Sequence, residues 1–186
     1  MACVSRCEEV RSCLAQQSGV PPGSEPPRST GFDMKHDANN DTIELRPATE
    51  QDSAFAYNLK KAVLGPYIAK TFGSWDDDAQ RALHGRQFRP AETQIIMRSG
   101  EAIGLLAVDR HLDKLRLRQL FVLPEAQNRG IGTRVARGIV HEARAKCLPV
   151  VLQVLKTNPR AKSFYERLGF VVTGETETHH QMAHSP

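Results

Sequence analysis

The sequence predicts a mixed α/β domain in which helices cover both faces of a single sheet. Short alternating or apolar segments typical of strands recur along the chain, and segments with apolar residues at helical spacing separate several of them. Val150–Leu155 is almost wholly apolar, as expected for a strand buried on both faces. The length of 186 residues suits one domain with an extension better than two full domains.

The first half of the domain is predicted to contain two helices and four strands. Thr49 and Asp52 form a capping-box pattern that begins the first helix, and Gly65–Pro66 should end it. Ser74 should cap the second helix, whose acidic first turn (Asp76–Asp78) complements the helix dipole. The four strands are expected near Ile43–Pro47, Gln94–Arg98, Ala102–Arg110 and Leu115–Leu123.

The second half is predicted to contain two more helices and three more strands. The third helix should run from about Gly130 to Lys146, because its apolar residues fall on one stripe. Asn158 should cap the fourth helix, with Pro159 at its first position and Gly169 just past its end. The strands are expected at Val150–Leu155, Phe170–Thr173 and about Glu175–Met182.

The first 41 residues differ in composition from the rest of the chain. They are rich in proline, glycine and serine and poor in apolar residues, so residues 1–41 are predicted to be a disordered extension of a domain at residues 42–186. The extension carries four bases and six acids, which leaves 21 bases and 15 acids in the domain. A basic domain suits an anionic ligand, either a phosphorylated cofactor or a nucleic acid.

The sequence shows no pattern typical of a membrane protein or of a metal-binding protein. No apolar stretch approaches the roughly 18–20 residues of a membrane helix, and charged residues interrupt the N-terminus where a signal peptide would need an apolar block. The four cysteines (Cys3, Cys7, Cys13 and Cys147) match no zinc pattern and have no secretory context. We therefore expect a cytoplasmic protein with reduced thiols and no metal.

The most informative segment is the loop Gln127–Thr133, which follows a strand and opens an amphipathic helix. Glycines at this position let the backbone approach a ligand, and the first amides of the helix point outward without helical partners. The loop does not fit a dinucleotide fingerprint, because Val135 stands where its third glycine belongs and the next strand is followed by Lys156. A Gly-Lys-Ser/Thr phosphate loop is also absent.

The same loop resembles the hallmark of the GNAT superfamily of acyl-CoA-dependent N-acyltransferases, Q/R-x-x-G-x-G/A, which Gln127, Gly130 and Gly132 match. About thirty residues later, the block from Asn158 to Phe170 resembles the second block of that family. The resemblance covers nearly all of the domain. It implies a central, predominantly antiparallel sheet of about six or seven strands, with parallel fourth and fifth strands that splay apart.

The resemblance also implies how acetyl-CoA would bind as co-substrate, without a metal. Backbone amides of Gln127–Thr133 would hold the pyrophosphate, and the main chain of Leu120–Val122 would pair with the pantetheine arm and polarise the thioester carbonyl. Asn158 would hydrogen-bond the cofactor, and Lys162 would approach its phosphates or adenine. The implied cofactor-binding residues are Leu120, Phe121, Val122, Gln127, Asn128, Arg129, Gly130, Ile131, Gly132, Thr133, Asn158 and Lys162.

The resemblance implies one catalytic side chain, Tyr165, as the acid that protonates the departing thiolate. A phenol with a pKa near 10 keeps its proton at neutral pH, which suits this role. Relatives that keep a base on the fourth strand use a carboxylate there, whereas this strand offers Arg116, Arg118 and Gln119. Packing alone could also explain Tyr165, and a tight turn without a ligand could explain the two glycines.

These observations predict transfer of an acetyl group from acetyl-CoA to a primary amine by direct attack in a ternary complex. The acceptor amine is expected to belong to a small molecule, a protein lysine or a protein N-terminus. The sequence is also compatible with a homodimer. The acceptor should meet Tyr67, Phe72, Trp75 and Asp76–Asp78. Two other functions remain: a CoA-binding module without turnover, because the strand carboxylate is missing, and a nucleic-acid-binding protein, which the basic charge permits but no motif supports.

Overall fold

The computed structural model describes residues 42–186, and these fold around one seven-stranded sheet. The strands are β1 (Ile43–Pro47), β2 (Thr93–Arg98), β3 (Glu101–Arg110), β4 (Leu115–Val122), β5 (Val150–Leu155), β6 (Val171–Glu175) and β7 (His179–His184). The helices are α1 (Ser53–Phe72), α2 (Asp77–Gln87), α3 (Ile131–Ala145) and α4 (Pro159–Glu166). The predicted extension at residues 1–41 lies outside the described residues and stays a prediction.

The order of strands across the sheet is β1-β2-β3-β4-β5-β7-β6. Neighbouring strands run antiparallel, with the exception of β4 and β5, which run parallel. A parallel pair needs a crossover connection, and α3 supplies it between β4 and β5. The predicted fold class is confirmed, including the parallel pair formed by the fourth and fifth strands.

Each face of the sheet has its own apolar core. On the α3 face, Val135 packs in one cluster with Leu152 of β5, and Tyr165 of α4 belongs to the same cluster. On the α1 face, Leu59 packs in a second cluster with Leu105 of β3. Helices therefore cover both faces of the sheet, as the sequence predicts.

Helix α1 continues through Gly65–Pro66, so the prediction that this pair ends the helix is wrong. Pro66 has no N–H to donate to the carbonyl of Ala62, which costs a helix interior about 3 kcal/mol. Tertiary contacts at the far end of the helix offset that cost. Ile68 is buried, and the hydroxyls of Thr71 and Thr157 lie 2.8 Å apart, which ties the last turn to the segment after β5.

The start of α2 also differs from the prediction. Its N-cap is Asp76, whose carboxylate accepts a hydrogen bond from the amide of Ala79 at 2.9 Å, and not Ser74. Asp77 lies in the first turn and accepts hydrogen bonds from the indole of Trp75 at 2.9 Å and the hydroxyl of Tyr57 at 2.8 Å. Within the acidic triplet, Asp76 therefore caps the helix, and Asp77 holds the side chains of Trp75 and Tyr57.

The β6–β7 hairpin turns later than predicted. Polar residues alternate through this segment without glycine or proline at the bend, so the sequence pattern shows no turn at Thr176–Thr178. The structure closes the turn with a hydrogen bond from the Thr176 amide to the His179 carbonyl at 2.8 Å. The last strand accordingly begins at His179 rather than at Glu175.

Within residues 42–186, no helix is long and apolar enough to cross a membrane.

Asp52 links β1 to α1 and gives a pH-dependent contribution to stability. Its carboxylate pairs with the Arg46 guanidinium at 2.7 Å and accepts a hydrogen bond from the Thr49 amide at 2.8 Å. The hydrogen bond from Arg46, followed by those from Thr49, holds the pKa of Asp52 well below its usual range. We expect Asp52→Ala to lower the free energy of unfolding by about 1 kcal/mol at pH 7, as for loss of one hydrogen bond of a capping box.

The pH dependence of this loss follows from the direction of the shift. Because folding lowers the pKa of Asp52, its contribution is present above the unfolded pKa and disappears as the pH falls toward the folded pKa. The free energies of unfolding of Asp52→Ala and of the unmutated protein, measured by urea denaturation, should therefore differ less at pH 3 than at pH 7. The exposed Asp113 provides the control variant, Asp113→Ala. An equal loss at both pH values for Asp52→Ala would contradict the assignment.

Candidate active site

The parallel pair β4–β5 opens the sheet. These strands pair at Leu115 with Val150 and at Arg116 with Val151, and then separate. The remainder of β4 still pairs with β3 on its other side. Its backbone from Leu117 to Val122 therefore faces a gap, and an extended ligand can pair with such an edge as an added strand does. The separation that the resemblance implied is present.

The loop before α3 forms the second wall of the site. Gly130 is the N-cap of α3 and adopts the left-handed region at φ 76°, which favours glycine. Asn128 is also left-handed, at φ 61°. The side-chain amide of Gln127 donates to the Val122 carbonyl at 2.9 Å, which fixes the loop to the end of β4. The first amides of a 15-residue helix therefore point at the gap, where they favour an anion.

A cavity of about 610 Å³ lies between this loop, the gap and α4. That volume falls within the range of small-molecule sites. Ten of the thirteen residues that the sequence singled out line it: Leu120, Val122, Gln127, Asn128, Gly130, Ile131, Gly132, Thr133, Asn158 and Tyr165. The structure thus brings together residues that lie up to 45 positions apart in the sequence.

Three of the singled-out residues do not line the cavity with their side chains. Phe121 points to the other side of β4 and packs in the α1 cluster. Arg129 is exposed. Lys162 forms an ion pair with Glu166 one turn later along α4. The backbone of Phe121 can still face the gap, because Phe121 lies in the part of β4 that does not pair with β5.

Asn158 and Arg160 shape the rim of the cavity on the α4 side. The carboxamide oxygen of the buried Asn158 caps α4 by accepting from the Ala161 amide at 3.0 Å, which leaves its NH₂ group for a ligand. Arg160 donates to the side-chain oxygen of Asn128 at 2.9 Å and so ties α4 to the glycine loop. Arg160 also places a positive charge at the cavity.

Tyr165 sits where α4 meets the cavity. Its ring makes edge-to-face contacts with Phe164 and Phe170, at centroid distances of 4.9 and 5.4 Å. The residue is only 9% exposed, and this burial raises the pKa of the phenol above its ordinary value. A tyrosine held in this way keeps its proton at neutral pH and is suited to donate it.

The cavity is also lined by residues outside the thirteen predicted site residues. Ala62, Val63, Pro66 and Tyr67 come from α1, and the last two reach the cavity because α1 runs on past the predicted stop. Of these four, the sequence suggested only Tyr67, as part of the acceptor surface. On the α4 side, Arg160 and Arg167 add positive charge, and Phe164 lies where a Cβ on Gly132 would come within 3.5 Å of its ring. A signal for the α1 residues was present in the helical spacing before Gly65, but the Gly-Pro pair obscured its continuation.

The lining of the cavity combines apolar, neutral polar and cationic residues. No aspartate or glutamate from residues 42–186 lines the cavity, so it holds no carboxylate to act as a base. In the same part of the chain, no group of three or more histidine, cysteine, aspartate or glutamate side chains could hold a metal ion. The arrangement can bind an extended anionic ligand along β4 and deliver a proton from one buried phenol.

The match to a protein family agrees with this geometry. A family model described as the acetyltransferase (GNAT) family matches residues 59–170, which is more than half of the chain. The chain belongs to the GNAT family. The resemblance indicated by Gln127, Gly130 and Gly132 is thereby confirmed at the level of the family. No curated protein sequence matches this chain significantly.

Solved GNAT structures share this fold at low sequence identity. PaiA N-acetyltransferase from Thermoplasma acidophilum, in complex with coenzyme A, is 16% identical with a TM-score of 0.64, over 78% of this chain and 99% of that chain. Arabidopsis thaliana Naa50, in complex with the bisubstrate analogue CoA-Ac-MVNAL, is 18% identical with a TM-score of 0.55, over 77% and 99%. The ribosomal-protein-S18-alanine N-acetyltransferase from Escherichia coli is 17% identical with a TM-score of 0.58, over 77% and 94%.

The acceptor surface predicted for this GNAT domain is only partly assembled around the cavity. Tyr67 lines it, whereas Phe72 is 61% exposed at the end of α1 and does not. The indole N–H of Trp75 donates a hydrogen bond to the carboxylate of Asp77, which also forms an ion pair with Lys61 at 2.6 Å. These hydrogen bonds, led by that from Lys61, lower the pKa of Asp77 and occupy its carboxylate.

Proposed function

We propose that the protein is an N-acetyltransferase that moves an acetyl group from acetyl-CoA to a primary amine by direct attack in a ternary complex. The observation that carries this proposal is the early end of the β4–β5 pairing, which places an unpaired strand edge beside the α3 N-terminus and Tyr165. GNAT membership supports acetyl transfer. The neighbours named as complexes with coenzyme A and with a CoA-peptide bisubstrate analogue support the choice of donor and acceptor.

The residues present fit the phosphorylated end of acetyl-CoA. The amides of Gln127–Thr133 open α3 at a left-handed glycine, and Arg160 and Arg167 add positive charge to the same cavity. Together these groups suit a pyrophosphate, since a helix N-terminus and arginines both favour phosphate oxygens. Asn158 would contribute its NH₂ group, and the remaining assigned residues, Arg129 and Lys162, would act from the rim.

The residues along β4 fit the rest of the ligand. The backbone of Leu120–Val122 would pair with the amides of the pantetheine arm, and one N–H would polarise the thioester carbonyl. When bound, acetyl-CoA supplies an activated acetyl group whose leaving group is a thiolate. Tyr165 lines the cavity and keeps its proton at Oη because burial raises its pKa, and it would give this proton to the sulfur. The amine gives up its own proton to solvent, because no carboxylate among the described residues lines the cavity.

A second candidate function is a CoA-binding module without turnover. The absence of aspartate and glutamate from the described lining of the cavity favours it, because an amine that stays protonated cannot attack. Thiol release from acetyl-CoA with a panel of primary amines, read together with mass spectrometry of the products, separates the two functions. Acetylated products support the transferase. CoA binding without any product would support the module.

The first test of either function is thermal stabilisation by acetyl-CoA. A ligand that binds the folded state alone stabilises it by about 2.7 kcal/mol at 100 times its dissociation constant. We therefore expect millimolar acetyl-CoA or CoA to raise the melting temperature by several degrees, measured by differential scanning fluorimetry. Adenine and inorganic phosphate at the same concentration serve as controls for non-specific anion effects. An unchanged melting temperature with acetyl-CoA would contradict both candidate functions.

A further inference from the structure

A second depression of about 720 Å³ lies on the α1 face of the sheet, beside the point where β4 and β5 separate. Arg116, Arg118 and Gln119 of β4 line one side of it, and Gln153 of β5 lines the other. The end of α2 and the segment after it contribute Arg86 and Arg89. We call this surface the basic depression.

The depression carries an excess of positive charge that its own carboxylates do not neutralise. Its two acids, Glu92 and Asp109, both pair with Arg118, at 3.0 and 2.7 Å. Arg110, which also lines it, pairs with Glu142 of α3 at 2.9 Å. Arg86, Arg89 and Arg116 are exposed, and no ion pair joins them to an acid in residues 42–186. Three arginines are therefore available to an anionic ligand from solvent.

The position of the depression connects it to the proposed reaction. Arg116 belongs to the last paired rung of β4–β5, while Gln119 and Gln153 come after it, where the strands have parted. The next residue of β4, Leu120, lines the cofactor cavity instead. Consecutive residues of one strand thus face the depression and the cavity. An acceptor lying in the depression would reach the gap from the α1 face, while the cofactor cavity extends to the α3 N-terminus and α4.

From this geometry we infer that the acceptor carries carboxylates beside its reactive amine, and that Arg86, Arg89 and Arg116 bind them. The inference rests on the proposed acetyl transfer. Long-range electrostatics and direct arginine–carboxylate contacts both favour an acidic acceptor here and disfavour a polycation, which three unpaired arginines would repel. Carboxylates occur both in acidic peptides and in small dicarboxylic amino acids. The volume of the depression accommodates either source.

The test compares acceptors that differ only in charge. Three pentapeptides have a central lysine with two flanking residues of glutamate, glutamine or arginine on each side, and free glutamate and glutamine serve as small acceptors. We expect kcat/KM to be at least about tenfold higher for the glutamate peptide than for the glutamine peptide, and lower still for the arginine peptide. The preference should shrink as NaCl rises from about 0.1 to 1 M, because the Debye length falls from about 10 to 3 Å.

A charge-swap variant ties the preference to the depression. Arg86→Glu/Arg116→Glu should lose the preference for the glutamate peptide and acquire one for the arginine peptide. Damage to the fold could not produce such an inversion. The matched control is Arg144→Glu, since Arg144 is also an exposed arginine but lies on α3, on the opposite face of the sheet. It should keep the unmutated order of peptides.

The outcomes separate this inference from the proposed function. Acetylation of all three peptides within twofold of one another would overturn the inference and leave acetyl transfer standing. Faster turnover of free glutamate than of free glutamine, without turnover of peptides, would support the small source of carboxylate. If no amine is acetylated, the affinities of the fluorescein-labelled glutamate and arginine peptides can still be compared by fluorescence anisotropy, with and without 1 mM CoA. Weaker binding of the glutamate peptide than of the arginine peptide would then overturn the inference.

Discussion

Replacing Tyr165 with phenylalanine is expected to lower the turnover number by about 10²–10⁴ while leaving the affinity for acetyl-CoA nearly unchanged. The phenyl ring keeps the edge-to-face contacts with Phe164 and Phe170, so the wall of the cavity is preserved. Only the phenolic proton is lost. Because burial raises the pKa of Tyr165, this proton is present throughout the neutral range in the unmutated protein. Steady-state thiol release and a titration with acetyl-CoA provide the two measurements.

A second buried tyrosine provides the matched control for this substitution. Tyr57 is 3% exposed and donates its hydroxyl to Asp77 at 2.8 Å, away from the cavity. Tyr57→Phe should lower the free energy of unfolding by roughly 1 kcal/mol, the net worth of a typical hydrogen bond, and leave turnover unchanged. Wild-type turnover in Tyr165→Phe, with the chemical step shown to limit the rate, would remove Tyr165 as the acid. Water or another group would then have to protonate the sulfur.

Replacing Gly132 with aspartate is expected to weaken acetyl-CoA binding by at least about 100-fold, because a carboxylate would compete with the pyrophosphate for the α3 N-terminus. The backbone tolerates a side chain at this position, since a Cβ would meet the ring of Phe164 at an ordinary 3.5 Å. An aspartate in the first turn also suits the helix dipole, so stability should not fall. Isothermal titration with acetyl-CoA and the melting temperature without ligand measure the two effects separately.

Gly138 lies in the same helix and supplies the control for the aspartate substitution. A Cβ there meets no atom within 4 Å, and the residue does not line the cofactor cavity. Gly138→Asp should therefore bind acetyl-CoA like the unmutated protein. Gly130 is a poorer choice for this test, because its φ of 76° would strain any other side chain. Retained affinity in Gly132→Asp would mean that the phosphates do not lie at the α3 N-terminus.

Local sequence signals account for most of the fold and for much of the candidate site. Val150–Leu155 is a strand with the predicted bounds, and Asn158 caps α4 as the pattern Asn-Pro indicates. These predictions succeed because apolar periodicity and capping chemistry act over a few residues. The glycine loop was likewise recognisable, since a left-handed glycine at a helix N-cap is a local requirement at Gly130.

Other features depend on contacts between segments that are distant in the chain. Pro66 reads locally as a helix stop, yet α1 passes through it because its last turn is anchored to Thr157, 86 residues after Thr71. The same continuation brings Pro66 and Tyr67 to the cavity. The side chain of Lys162 turned to Glu166 rather than to the cavity, which helical spacing permits but does not require.

The amino-acid sequence was sufficient to indicate the order of helices and strands, the glycine loop and the family, because each depends on neighbouring residues. The assembled sheet was needed to see that β4 and β5 part after two pairs, and that both acids of the basic depression pair with Arg118. Charge totals along the chain cannot reveal which arginines lack a partner. Ion pairing depends on distances of a few ångströms between residues that folding alone brings together.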